Sequence, residues 1–182
     1  MTTSDGSSPS GTASAGHRLL LLRHAKAADF APGRGDAGRP LTDVGQEQVA
    51  KVAEFLAGKD FAVDHVLASS AVRTRQTAEG LGLGCRIELV DEIYNAGSET
   101  IAGCIGDVDE SVSTLLVVGH APGIPTLAHE LAGDGSDDTA LHRIDSSYPT
   151  ATLALLTIDG AWSSLQANHH GCGALTEVLI SR

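Results

Sequence analysis

Leu19-Leu20-Leu21-Leu22-Arg23-His24-Ala25-Lys26 is the stretch whose reading decides the fold. Four leucines ask for burial, and the next two residues carry groups that ask for water or for an anion. Set back to back, they predict a buried strand that delivers Arg23 and His24 to the rim of a sheet. Open α/β folds bind ligands at the carboxyl ends of such strands. An imidazole beside a guanidinium is suited to phosphate.

Working outward, further apolar runs read as strands at residues 63–68, 114–118 and 152–158, with a weaker one at 87–90 and an edge strand at 163–167. Helical patterns fall between them. Val49, Val52, Ala53 and Leu56 follow i, i+3, i+4, i+7, with Thr42 at the N-cap and Gly58 just past the end. A second helix follows Ser70 as its cap, a third covers 98–108 and a fourth 124–131. Strands alternating with helices predict an α/β fold. The form expected is a three-layer sandwich, a mostly parallel central sheet flanked by helices. Residues 31–39 and 133–149 read as long loops, and such loops often shape sites.

Composition narrows the function. The chain has 182 residues, enough for one domain with a real core, and its 42% hydrophobic content is ordinary. Aromatics are 3%, so the core must be aliphatic. The net charge of −11 argues against nucleic-acid or anionic-membrane partners, which need basic surface. No apolar stretch approaches the roughly 18 residues of a membrane helix. Cys85, Cys104 and Cys172 are scattered without C-x-x-C spacing and read as reduced thiols in a cytoplasmic protein. Residues 1–16 are rich in Ser, Thr and Gly and lack an apolar core. They read as a flexible tail before a single domain at 17–182.

Three segments place a cationic or titratable group just after a predicted strand: Arg23-His24, Ser69 to Ala78 containing Arg73, and Gly119-His120-Ala121-Pro122-Gly123. In a parallel sheet these ends point the same way and can share a cleft. Arg73 falls in the first turn of its helix, where the dipole disfavours a cation by up to about 1 kcal/mol. A bound anion reverses that sign. His24 suits a nucleophile: neutral imidazole attacks phosphorus and splits one transfer into two easier steps. Neighbouring cations favour its neutral form. Arginines stay charged and neutralise phosphoryl oxygens. His120 is a hydrogen-bond donor for the same group. Arg39 adds a third guanidinium, and Asp36 either orients it or protonates the leaving group.

Other signals are weaker. His169-His170 suggests a metal pair, but neighbours on a strand point to opposite faces and no nearby set completes a ligand shell. They read as surface or edge residues, so no metal is expected. Ser69 and Ser70 lack a G-x-S-x-G elbow. The glycines at 80, 82 and 84 lack the Gly-Lys-Ser/Thr of a phosphate loop.

Four segments together resemble the histidine phosphatase (phosphoglycerate mutase-like) superfamily. Leu22-Arg23-His24-Ala25 is similar to its Arg-His-Gly signature, and Arg39-Pro40-Leu41-Thr42-Asp43-Val44-Gly45 to its Arg-Pro-Leu-Thr-x-x-Gly. Arg73 to Ala78 resembles Arg-Ala-x-Gln-Thr-Ala, and Val118 to Pro122 resembles Val-Gly-His-x-Pro. The order is the family's, across about residues 18–156, and the early Arg-Pro-Leu-Thr is similar to the SixA-like phosphohistidine phosphatase branch. The resemblance implies a hydrolase with His24 as the phosphorylated nucleophile. It implies a phosphate pocket of Arg23, Arg73 and His120 with Arg39 nearby, and no cofactor. Ala25 departs from the family's glycine, so turnover requires a backbone there that is not left-handed. Glu92 stands in roughly the stretch of the larger members' general acid. A phosphohistidine P–N bond needs such an acid least, which points to a phosphorylated protein as substrate. A small phosphorylated metabolite, or phosphate binding without turnover, remains the alternative. Oligomeric state has no signature in the sequence.

Overall fold

The computed structural model describes residues 16–30, 33 and 35–181. The expected tail lies outside the described residues except for Gly16, as does part of the 31–39 loop. Among the described residues, six strands form one sheet: β1 (His17–Arg23), β2 (His65–Ser69), β3 (Arg86–Val90), β4 (Thr114–Gly119), β5 (Thr152–Ile158) and β6 (Gly173–Ile180). Their order is β3-β2-β4-β1-β5-β6. The first four are mutually parallel, while β5 and β6 run antiparallel to their neighbours. Among the described residues, five helices flank the sheet: α1 (Asp43–Ala57), α2 (Val72–Gly80), α3 (Ser98–Gly106), α4 (Gly123–Leu131) and α5 (Asp138–Ser146).

The four leucines of β1 explain the layers. Leu19 and Leu21 pack with residues of α3, α4 and α5, whereas Leu20 and Leu22 pack with α1 and α2. Side chains alternate along a strand, so a strand covered on both faces must be apolar at every position. All four leucines are fully buried. Each such burial is worth roughly 1.5–3 kcal/mol.

Thr42 caps α1 as expected, its hydroxyl accepting from Gly45 N at 3.1 Å. Gly45 has a further role: a Cβ there would collide with the Lys26 carbonyl oxygen. Glycine therefore lets the first turn of α1 close onto the segment that follows His24. In that segment the Lys26 carbonyl accepts from Thr42 N at 3.0 Å.

Three expectations are corrected. Ser70 does not cap α2; Ala71 is the N-cap residue and makes no side-chain cap bond. Residues 163–167 are not an edge strand: 163–166 belong to a 3-10 turn, Trp162–Gln166, and Ala167 caps its end. Trp162 and Leu165, three apart and fully buried, suit a three-residue turn better than a strand's alternation. The sheet edge is instead β6. A bulge there sets Leu155 opposite Glu177 and Leu156 opposite Leu175, leaving Thr176 extra. Leu175 and Val178 thus reach one core at a spacing that hides the strand period. Finally, α5 lies inside the stretch read as a long loop. Asp137 caps it by accepting from Ala140 N, and only Ala140 and Ile144 are buried, too sparse a stripe to announce a helix.

Candidate active site

Strand order creates the site. β4 lies between β1 and β2, with Arg23 paired to Gly119 and Ala68 to Val118, so the three strands end level. The His24 amide donates to the Gly119 carbonyl at 3.0 Å. His24 and His120 therefore face each other, ring centroids 5.2 Å apart. α2 begins just beyond β2 and places Arg73 in its first turn. A cavity of about 440 Å³ at this edge is lined by Arg23, His24, Asp36, Arg39, Arg73 and His120, with Lys26, Asn95 and Thr150 at its walls. The six residues expected to build the phosphate pocket all line it.

The motif side chains that do not face the cavity tie its walls together. Thr77 Oγ1 accepts from the Ala25 amide at 3.1 Å and donates to the Arg73 carbonyl at 2.7 Å. Gln76 Oε1 accepts from the Leu41 amide at 2.8 Å. Ala25 is fully buried and packs with residues of α1 and α2. Among the described residues, positive φ outside glycine is confined to Asn95 and Ala151, so the backbone at Ala25 is not left-handed.

His24 Nδ1 lies 2.8 Å from the Ala25 carbonyl oxygen. A carbonyl only accepts, so Nδ1 carries the proton and Nε2 of the neutral ring keeps its lone pair. Burial pushes the His24 pKa down to about 4, reinforced by the charges of Arg73, Arg23 and Arg39. His120 Nε2 donates to Ser69 Oγ at 2.8 Å, and its Nδ1 faces Arg73 Nη2 at 3.2 Å. Burial, then Arg73, lowers its pKa to about 3. Both rings are neutral at neutral pH.

Asp36 organises the cations. One carboxylate oxygen accepts from Arg39 Nη1 at 2.9 Å; the other accepts from Arg73 Nη2 at 3.0 Å and from the Tyr94 hydroxyl at 2.8 Å. The Asp36 carbonyl takes Arg73 Nη1 at 2.8 Å. The hydrogen bond from Arg39, then that from Tyr94, holds this carboxyl far below the usual carboxylate range. Asp36 is thus an ionised acceptor with no proton to give, which favours its orienting role over the proton-donor one. Arg23 Nη1 donates to the Tyr148 carbonyl at 2.7 Å, while the Nε atoms of Arg23 and Arg73 are buried without a hydrogen-bond partner.

Glu92 is not brought here. It is exposed on the 3-10 turn Asp91–Ile93 and lines a different cavity with His65 and Arg86. Among the described residues, Asp36 is the only carboxylate lining the His24 cavity. Sequence reasoning missed Tyr94, whose ring meets His120 edge-on at 5.5 Å, and Ser69, the partner of His120. No local pattern marks either; only the packing of their elements brings them in.

Comparison with known proteins agrees with this geometry. The histidine phosphatase superfamily (branch 1) matches residues 19–97. A protein of Mycobacterium tuberculosis (strain ATCC 25618 / H37Rv) is 35% identical over 162 residues, covering 88% of this chain and all of that one. Phosphohistidine phosphatase SixA of Escherichia coli (strain K12) is 28% identical over 148 residues, 78% of this chain and 86% of that one. A structure from Nakamurella multipartitia assigned as SixA is 32% identical with a TM-score of 0.78, covering 92% of this chain and 98% of that one. The protein histidine phosphatase SixA in complex with tungstate is 26% identical with a TM-score of 0.70, covering 89% and 96%. By its matching segments, its fold and the cavity they build, the chain belongs to the histidine phosphatase superfamily.

Proposed function

We propose that this protein is a phosphatase that removes the phosphoryl group from a phosphohistidine side chain of a protein, through a phospho-His24 intermediate. The observation that carries the reading is the locked His24 ring: Nδ1 is spent on Ala25, leaving Nε2 as a bare nucleophile in a cavity lined by Arg23, Arg39 and Arg73.

In the first step His24 Nε2 forms a bond to phosphorus as the substrate P–N bond breaks, and the departing imidazole nitrogen takes a proton from solvent water. In the second, water attacks phospho-His24, inorganic phosphate leaves and Nε2 recovers its lone pair. The arginines neutralise the equatorial oxygens in both steps. Arg39 and Arg73 are aimed by Asp36, and His120, beside His24, holds Arg73 through its Nδ1.

The substrate class follows from the missing acid. Asp36 is the only carboxylate lining the cavity among the described residues and is held ionised, so no neutral carboxyl protonates a leaving alkoxide. A phosphoramidate, whose imidazole leaving group is readily protonated, tolerates this; an alkyl phosphate does not. SixA relatives are named for phosphohistidine, and one binds tungstate, a tetrahedral oxyanion. The acidic balance and unpaired cysteines support a cytoplasmic setting.

The test compares release of phosphate from a histidine-phosphorylated carrier protein with release from a panel of sugar and nucleotide phosphates. The expected result is faster turnover of the protein substrate, abolished in His24→Ala. Faster turnover of a metabolite assigns the small-molecule role instead. Full activity in His24→Ala removes the mechanism, and stoichiometric phosphate binding without turnover leaves a binding module.

A further inference from the structure

His169 and His170 do not lie on a strand. They occupy the turn between the 3-10 segment and β6, and their rings stack with centroids 4.7 Å apart and planes 22° apart. Glu130, next to last in α4, meets them there: its Oε2 accepts from His169 Nε2 at 3.0 Å. One ligand atom from each of Glu130, His169 and His170 lies within 4.8 Å of the other two.

We infer that Glu130, His169 and His170 form a binding site for a divalent transition-metal ion of the zinc class, separate from the phosphatase cavity. Two imidazoles and one carboxylate are a donor set that zinc takes with a fourth position open. Oxygen-seeking Mg²⁺ and Ca²⁺ are poorly served by two nitrogens. At zinc bond lengths the ligand atoms of a tetrahedron stand about 3.3 Å apart. The His169–Glu130 pair already meets that spacing, and exposed His170 has room to close the remainder. Binding replaces the His169–Glu130 hydrogen bond: the neutral ring shifts its proton to Nδ1, and Nε2 turns its lone pair to the ion.

The site is braced. The Glu130 backbone carbonyl accepts from the Gly171 amide at 2.7 Å, and Asn168 Oδ1 accepts from the His170 amide at 3.1 Å. Such partners around the ligands are what orients a metal site. A cavity of about 320 Å³ bordered by Glu99, Asn168 and both histidines offers the fourth position to water. An ion here would fasten the turn before β6 to the far end of α4, the helix that starts just after His120.

The test uses tag-free full-length protein and zinc chloride, with cobalt chloride as a spectroscopic substitute. Calorimetry should give one zinc per chain, cobalt should produce the visible bands of a tetrahedral N/O site, and zinc should raise the melting midpoint. His170→Ala removes an exposed ligand and should weaken zinc binding roughly ten-fold or more, with the melting shift lost. Glu130→Gln should do the same, while His24→Asn should leave binding intact. The proposal is overturned by absence of zinc uptake. It is equally overturned by uptake unchanged in His170→Ala and Glu130→Gln, or by uptake lost only in His24→Asn, which would put the ion in the phosphatase cavity.

Discussion

Arg73 Nη2 lies 3.2 Å from His120 Nδ1. A guanidinium has no lone pair to offer, so His120 accepts at Nδ1 and must donate from Nε2, which faces Ser69 Oγ at 2.8 Å. One contact thus fixes a tautomer, keeps the ring neutral and holds the arginine against its own histidine until phosphate arrives. Asp36 grips the same Nη2 from the other side at 3.0 Å.

Arg73→Ala should lower kcat/KM by about 10²–10³-fold, equivalent to about 2.7–4 kcal/mol of transition-state stabilisation, as for other preorganised donors. Arg73→Lys should recover little of it, because a single ammonium cannot span Asp36 and His120 together. Steady-state kinetics on a phosphoramidate substrate reads both.

Asp36→Ala should cost roughly ten-fold in kcat/KM, about 1.4 kcal/mol, by releasing Arg39 and Arg73. Asp36→Asn, which still offers an oxygen acceptor, should recover most of that loss. A proton donor would be lost equally in both variants, so the Asn/Ala comparison separates orienting from acid catalysis.

The His24 ring should titrate near 4, not near the ordinary 6.5, in a histidine-detected NMR titration of the free protein. The sign for stability follows. Folded His24 and His120 bind protons more weakly than unfolded histidine, so their contribution is complete above about 6.5 and declines as pH falls toward about 4 and about 3. Urea melts of His24→Ala should show a flatter loss of stability between those limits than wild type.

Ala25→Gly should restore the family's residue without raising kcat beyond two- to three-fold, because the backbone at Ala25 does not require glycine's freedom. It should destabilise the protein by about 1–2 kcal/mol, through a lost buried methyl and a more flexible unfolded chain. A large gain in turnover would mean that Ala25 restrains catalysis.

Gly45→Ala should destabilise by about 1–3 kcal/mol, since the new methyl meets the Lys26 carbonyl and pushes α1 off the segment after His24. Thermal melts give the loss. Activity at low temperature should fall with it, because Lys26 and Ala27 border the cavity.

The sequence by itself determined the parallel part of the sheet and the catalytic edge. Leu19–Leu22 and Leu115–Val118 are apolar at every position, and a strand covered on both faces leaves no other reading. Arg23-His24 follows such a run directly, His120 follows one after a single glycine, and Arg73 comes four residues after the end of β2, so their shared edge was legible once the strands were. Where a local signal was broken or sparse, only tertiary structure decided. The bulge at Thr176 disguised β6, and two buried residues were too few to announce α5. Trp162 and Leu165 made a turn of residues 162–166 through burial against the core. Long-range contacts settled the chemistry as well. Asp36 became an ionised clamp because Arg39, Arg73 and Tyr94 converge on it, and Glu92 stayed outside because its turn faces away from the cavity. His169-His170 gained a third partner only because α4 ends beside their turn. Strand period and charge are written residue by residue, whereas proton affinity and ligand sets depend on which distant groups the packed chain brings within a few ångströms.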